Sequence, residues 1–539
     1  MAISIAAMLF MAGCQDAPVV AETDRAADAA VATVDEAASP DTPPTRFVAA
    51  DLDVPSPTRA GRDWPLFLGL TENGIVPEAE ANAGSLIDDL STAENAWIRE
   101  VGSGYSAPAV VGLRTLLFHR QGDEEVLECL RADTGETLWK TARPSSFRDP
   151  YGYNNGPRCS PQVHLGDGDE SDAGGYVITF GATGRLMRTS LADGDVAWEI
   201  ETDAAYDVPK HFFGVGCTPI LERVGDRTLA VTLVGGQPNS GVVAFDAADG
   251  SVVWEAVGRS TWDGVVTRDR RGRPDEPYEW NGFEMVVSYA SPIAATIHGE
   301  RHLLCLVRQG LVSLDPATGE ERFAYWFRSP IHESVNASRP VVVDDTILLS
   351  APYNAGCVRL RVNPDGRGVT ELWRTSDEFD THFSTAIYRD GHYYGFHGRH
   401  ENQGQMTCID AATGGVKWAS SGYEGNLSEL RRGQRGGYVD ADGQPLPWPF
   451  YGRGSAILVG DRFLVLGERG TLAWVNADPS AFVETSRVAV PEIGYPSWAA
   501  PVLSRGRAFF RDENSLICLD LRRSDDAAVK PPAGNTATD

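Results

Sequence analysis

The stretch CIDAATGGVKW, residues 408–418, reads as the end of one strand, a tight turn and the start of the next. Apolar residues alternate before the turn, Gly414 supplies the positive φ that the turn requires, and the second strand ends on an aromatic residue, so the stretch is a β-hairpin. The phrase returns upstream as CLRADTGETLW (129–139), TSLADGDVAW (189–198), AFDAADGSVVW (244–254) and SLDPATGEERF (313–323). A blurred copy, RVNPDGRGVTELW, occupies 361–373. The spacing between copies averages about 56 residues, a period that marks propellers and solenoids.

A second phrase interleaves with the first. It places Ser or Thr near Pro ahead of a β-branched run: YSAPAVV (105–111), CSPQV (159–163), CTPIL (217–221), YASPIAA (289–295) and SRPVVV (338–343), with looser copies FSTAIY (383–388), GSAILV (454–459) and WAAPVL (498–503). Proline is tolerated where a strand begins, because its missing N–H lies outside the ladder, so each phrase opens a first strand. Between the two phrases a Gly turn recurs, as in GATGRLM (181–187) and GERGTLAW (467–474). Each unit is therefore expected to be a four-stranded meander, one propeller blade. The last unit ends at LICLDL (516–521) without an aromatic strand of its own, while ENAWIREVG (94–102) precedes the first unit. The expectation is an all-β fold: an eight-bladed β-propeller of four-stranded antiparallel blades, its ring closed by the N-terminal strand so that no edge stays open.

The repeat phrase resembles the tryptophan-docking motif of the quinoprotein propellers, whose repeats are named after pyrroloquinoline quinone. The chain as a whole resembles secreted bacterial propellers with such repeats, similar to the lipoprotein subunit of the outer-membrane barrel-assembly machinery. The resemblance implies that Trp139, Trp198, Trp254, Trp373 and Trp418 dock one blade onto the next.

Outside residues 63–523, the expected propeller, three segments read differently. Residues 1–14, MAISIAAMLFMAGC, form an apolar run too short to span a bilayer and read as a lipoprotein-type signal segment, with Cys14 as the lipidated residue. Residues 15–62 are rich in Ala, Asp, Thr and Pro and read as a disordered acidic tether; 524–539 read as a disordered tail. The expected location is the cell envelope: a periplasm-facing lipoprotein, at the outer membrane rather than the inner, touching a membrane only through its anchor.

With 75 acidic and 47 basic residues the formal net charge is −28, which speaks against nucleic acid and anionic lipid as partners. Cys129, Cys408 and Cys518 share one place in the repeat and read as small buried side chains. Cys159 and Cys217 match each other at the heads of adjacent blades, where a disulfide is a possibility that geometry decides. Neither a C-x-x-C motif nor a metal-binding pattern is present.

Function is expected where the chain departs from the repeat. The connections 139–161, 198–219, 254–292 and 418–456 are long and lead into first strands, so they are expected to rise on one face. Residues ahead of each first strand should meet at the channel mouth: Asn155, Arg158, His211, Glu284, Glu333, Asn336, Arg339, His382 and Arg453 are the candidate ligand-binding set. Arginine forks and adaptable His and Asn suit an oxygen-rich ligand. His382, His392, His397 and His400 lie close in sequence, but strand alternation should part them, so no metal is expected. The expected function is a non-enzymatic, monomeric envelope scaffold that binds a protein or a small polar or carbohydrate ligand on the long-loop face. The resemblance implies an alternative, a pyrroloquinoline-quinone and calcium-dependent alcohol or sugar dehydrogenase, in which Glu284 with Asn336 would hold calcium and Arg158 or Arg339 would approach the quinone. No residue is assigned a catalytic role. A third possibility is the addition of a partner's strand to an exposed blade edge.

Overall fold

A computed structural model describes residues 43–523, except 53, 55–60, 78–85, 167–173, 209–212, 268–275, 280–288, 330, 332–333, 377, 424, 426–429, 434–436, 441 and 447. The signal segment with Cys14, most of the tether and the tail lie outside the described residues, and so do His211, Glu284 and Glu333. Residues 43–539 make up one unit of the chain, and every described element belongs to it.

The unit is all-β, and its main elements are antiparallel meanders. In chain order the first comprises Ala109–Val111, Arg114–Gln121, Glu124–Arg131 and Thr137–Pro144; the second runs from Gln162–His164 to Val196–Glu201. The third starts at Ile220–Val224, the fourth at Ile293–Ile297, the fifth at Val341–Val343, the sixth at Ile387–Arg389 and the seventh at Ser455–Val459. The last meander has three consecutive strands, Val502–Ser504, Arg507–Arg511 and Ser515–Asp520, and its fourth is Glu94–Glu100 from the other end of the chain.

Burial explains the composition of these strands. Arg114–Gln121 and Glu124–Arg131 are buried almost throughout, whereas the outer strand Val416–Ser420 has no fully buried residue. Middle strands covered on both faces need continuous apolar runs, and outer strands half-open to water need fewer.

One register landmark repeats. Cys129 faces Trp139, Arg188 faces Trp198, Ala244 faces Trp254, Ser313 faces Phe323, Arg359 faces Trp373 and Cys408 faces Trp418, each followed by a bulge. The indole N–H then crosses to the next sheet. Trp139 donates to the Leu191 carbonyl at 3.1 Å, Trp198 to Ala247 at 3.1 Å, Trp254 to Pro316 at 3.0 Å and Trp373 to Ala411 at 2.8 Å. Trp418 donates to Asp478 at 2.9 Å, and Trp97, on the N-terminal strand, to Ala132 at 3.0 Å. In five of these six joints the turn glycine three residues beyond the acceptor lies under the ring, as at Gly194, where a Cβ would come within 2.5 Å of Trp139; beyond Asp478 the position is Ala481. The repeat phrase is thus half of an inter-sheet joint, with tryptophan on one sheet and the Gly turn on the next. In the seventh meander Ser486 takes the tryptophan's place and accepts the Leu90 N–H at 2.8 Å instead.

The second phrase also joins sheets. The Ala107 N–H donates to Ser160 Oγ at 3.0 Å, Ser160 N–H to Thr218 Oγ1 at 3.1 Å, Thr218 N–H to Ser291 Oγ at 2.9 Å and Arg339 N–H to Thr385 Oγ1 at 3.3 Å. Ser and Thr recur before the first strands because the hydroxyls of Ser160, Thr218, Ser291 and Thr385 each satisfy a backbone donor of a neighbouring sheet.

Two segments ahead of the repeats are part of the fold. Thr45–Val48, inside the stretch read as tether, pairs antiparallel with the outer strand Thr137–Pro144, and Arg46 bonds Asp195 at 2.8 Å. Residues 61–77 run along the innermost strands: Trp64 exchanges backbone hydrogen bonds with Val110, the Pro65 carbonyl accepts from Val163, and Ile75–Val76 pairs parallel with Ser455–Val459. All seven described cysteines carry free thiols and are buried, Cys159 and Cys217 included. Burial pushes both of those thiols up.

Candidate functional site

The approaches to the first strands of all the meanders meet around one cavity of about 210 Å³. Two positions of the repeat build it. The residue two before the pre-proline position is aromatic in four meanders, Tyr105, Tyr289, Phe383 and Trp498; it is basic in two, Arg158 and Arg453, and small in two, Gly216 and Ala337. All eight line the cavity. The pre-proline position adds a ring of small residues, among them Ala107, Ser160, Thr218, Ser455 and Ala500. Phe67 and Leu68, from the segment lying along the innermost strands, complete the wall.

Three of the nine sequence candidates therefore belong to this cavity: Arg158, His382 and Arg453. Three others do not reach it. Asn155 lies within the preceding loop, where its Oδ1 accepts the Asp149 N–H at 2.7 Å. Asn336 is buried, its amide donating to the carbonyls of Val307, Arg308 and Phe327. Arg339 holds Pro292 through Nε at 2.9 Å and the Glu72 carbonyl at 2.7 Å, so it anchors the N-terminal segment. His211, Glu284 and Glu333 lie outside the described residues.

Each cavity arginine carries its own counter-charge. Arg158 donates to Asp149 at 2.8 Å and lies over the Tyr105 ring at 5.4 Å. Burial pulls its pKa down, against the opposing pull of Asp149. Arg453 donates to Glu468 at 2.9 Å, lies 4.6 Å above the Trp498 ring, and reaches Tyr495 Oη at 3.0 Å. The same Glu468 oxygen accepts the Trp498 indole N–H at 2.9 Å. Burial pushes Glu468 up while Arg453 opposes it. His382 shares a hydrogen bond of 3.1 Å with Tyr353, and burial, reinforced by Arg453 and Arg399, lowers its pKa to about 3, so the imidazole is neutral.

Aromatic contacts continue outward from the wall. Trp498 meets Tyr105 at 4.9 Å, Phe383 at 5.3 Å, Tyr153 at 5.8 Å and Tyr495 at 6.1 Å. Phe213, which also lines the cavity, meets Tyr151 at 5.1 Å. The candidate set drawn from the sequence contains none of these Tyr, Phe and Trp residues. Aligning the eight strand starts and reading the column two before the pre-proline position would have found Tyr105, Tyr289, Phe383 and Trp498.

His392 and His397 lie at opposite ends of one strand, facing the Asp390 carbonyl and Asp380 respectively. Among the described residues no group of three or more His, Cys, Asp or Glu is placed to hold a metal ion.

The family model described as "Outer membrane protein assembly factor BamB", one of PQQ-like repeats, matches residues 122–420. That span is more than half of the chain. The chain belongs to this PQQ-like propeller family. No curated protein matches the sequence. Among solved structures, the quinohemoprotein alcohol dehydrogenase of Comamonas testosteroni aligns over 85% of this chain and 80% of its own at 12% identity, with a TM-score of 0.51. BamB from Moraxella catarrhalis aligns over 80% of this chain and 100% of its own, also at 12% identity, with a TM-score of 0.48. At such identity the likeness concerns the fold alone.

A quinone held with calcium would need ligands on the wall of this cavity. Calcium takes six to eight oxygen ligands, carboxylates foremost. The described cavity wall contains no Asp or Glu. Of the pair expected to hold the ion, Asn336 is buried away from the wall and Glu284 is not described. The described residues do not fit the group.

Proposed function

We propose that the eight meanders are the blades of one closed propeller ring, with Glu94–Glu100 completing the last blade, and that the protein is a non-enzymatic scaffold of the cell envelope. Its working face carries the long connections, and its binding centre is the axial cavity into which all the first strands lead. Cys14 carries the lipid anchor, with the outer membrane as its destination. The observation that carries this reading is the chemistry of the cavity wall: aromatic rings, arginines already neutralised by buried carboxylates, no described carboxylate, and a single imidazole, His382, whose pKa burial lowers to about 3. Such a wall recognises and excludes water, and an imidazole with so low a pKa is a poor proton acceptor near neutral pH. Membership of the BamB family agrees with a protein-binding role.

Site-directed photo-crosslinking tests the reading. A photoreactive residue at Tyr153 or Tyr495, beside the cavity, should form adducts with envelope proteins in cells, whereas one at Val252, exposed on an outer strand, should not. Adducts at Val252 alone would move the binding surface to the blade edge and contradict the proposal.

A further inference from the structure

The polarity of the cavity narrows what enters it, and this deepens the scaffold reading on which it rests. An anion gains little here: Asp149 and Glu468, whose side chains are 0% exposed, already compensate Arg158 and Arg453. A polyol gains little either. The hydroxyls of Ser160, Thr218 and Ser291 are engaged with backbone N–H groups, and the rest of the wall is largely rings that cannot replace the water stripped from a sugar. Among the buried polar atoms of the described wall, Ser455 Oγ has no hydrogen-bond partner, and neither has Nδ1 of His382. At the cavity mouth three large side chains stand in water: Tyr153, which also lines the wall, at 43% exposed, and beside it Tyr151 at 49% and Tyr495 at 44%. Each packs against a ring of the wall. Exposed tyrosines beside arginine and tryptophan make the anchors of protein interfaces, and such anchors pair with anchors on the partner.

We infer that the axial cavity receives the side chain of one tyrosine or tryptophan presented by a partner protein, its ring packed against Trp498 and Phe383 and its single polar atom meeting Ser455. The tyrosines at the mouth then cover the backbone on either side of that residue. Tryptophan and tyrosine are the side chains that fill such a site with a large apolar ring and one polar handle.

The test uses the purified protein and capped amino acids as probes, with binding followed by calorimetry and saturation-transfer NMR. N-acetyl-tyrosine amide and N-acetyl-tryptophan amide should each saturate one site, with a dissociation constant on the order of 0.1–1 mM for ligands of this size. Both should bind at least tenfold tighter than N-acetyl-leucine amide. Ala500→Phe, which fills the cavity, should abolish binding. Since that variant risks misfolding, Ser455→Ala serves as the second: it should weaken the tyrosine amide several-fold and leave the circular dichroism unchanged. Tighter binding of glucose than of the aromatic amides would overturn the inference in favour of a polyol. Binding of p-cresol with exclusion of the capped amides would overturn it in favour of a free small molecule, and no binding by any probe would also overturn it. Crosslinking at Tyr153 that persists while the amides fail sinks this inference alone. Quinone-dependent dye reduction would instead sink the scaffold reading, whatever the amides do.

Discussion

Gly194 and Trp139 show how much of this molecule rests on single joints. Trp139 is fully buried, its indole N–H satisfied by the Leu191 carbonyl, and Gly194 has φ of +76° directly beneath the ring. Gly194→Ala places a Cβ where the ring already lies and in a backbone region that costs an L-residue, so it should destabilise by about 2–4 kcal/mol. Trp139→Phe keeps most of the apolar surface but leaves the Leu191 carbonyl without its donor, a loss of about 1–3 kcal/mol. Urea unfolding of both variants checks the order. His382 gives a pH prediction. Its folded pKa is near 3 because burial disfavours the charged ring, while an unfolded histidine titrates near 6.5. The folded state binds fewer protons, so stability is fully present above pH 6.5 and falls as the pH drops toward 3. Buried His302, lowered to about 4 chiefly by burial and then by Arg322, adds to the same acid limb. His382→Gln should flatten the fall of the thermal midpoint between pH 6.5 and 4, and an unchanged slope would refute the assignment.

At the scale of elements, the repeated strands were legible because two short phrases carry both halves of each joint. The tryptophan and the Gly turn are chemically specific, and the Ser/Thr before proline marks where hydroxyls cap neighbouring backbone. The N-terminal segments were not legible: TRFV at 45–48 is too short to show a period, and its pairing with Thr137–Pro144 depends on an edge more than 90 residues away. Residues 61–77 likewise lack a repeat, because they pack along a surface that exists only once the sheets have formed. The candidate site was half legible. Arg158, His382 and Arg453 stood out as polar residues ahead of strands, while Asn336 and Arg339 looked equivalent but are spent on backbone carbonyls. A single sequence cannot tell a charge turned into the fold from one turned toward a ligand. Arg339→Ala should therefore lower the unfolding midpoint, by about 2 kcal/mol of stability, because the Pro292 and Glu72 carbonyls lose their donors. Aromatic-amide binding should survive that change, whereas loss of binding with no loss of stability would return Arg339 to the binding set.

For the whole molecule, the decisive property is the contrast between an acidic chain and a cavity with no described carboxylate on its wall. The fold is shared with a quinohemoprotein alcohol dehydrogenase at 12% identity, so the fold does not choose a function and the wall residues must. Rings and compensated arginines favour recognition over redox chemistry. The most direct test titrates the purified protein with pyrroloquinoline quinone and calcium, following heat, absorbance and the reduction of a dye with mixed alcohols and sugars. The account predicts no saturable binding up to high micromolar quinone and no dye reduction. Stoichiometric binding with alcohol-dependent dye reduction would contradict it and make the protein a dehydrogenase.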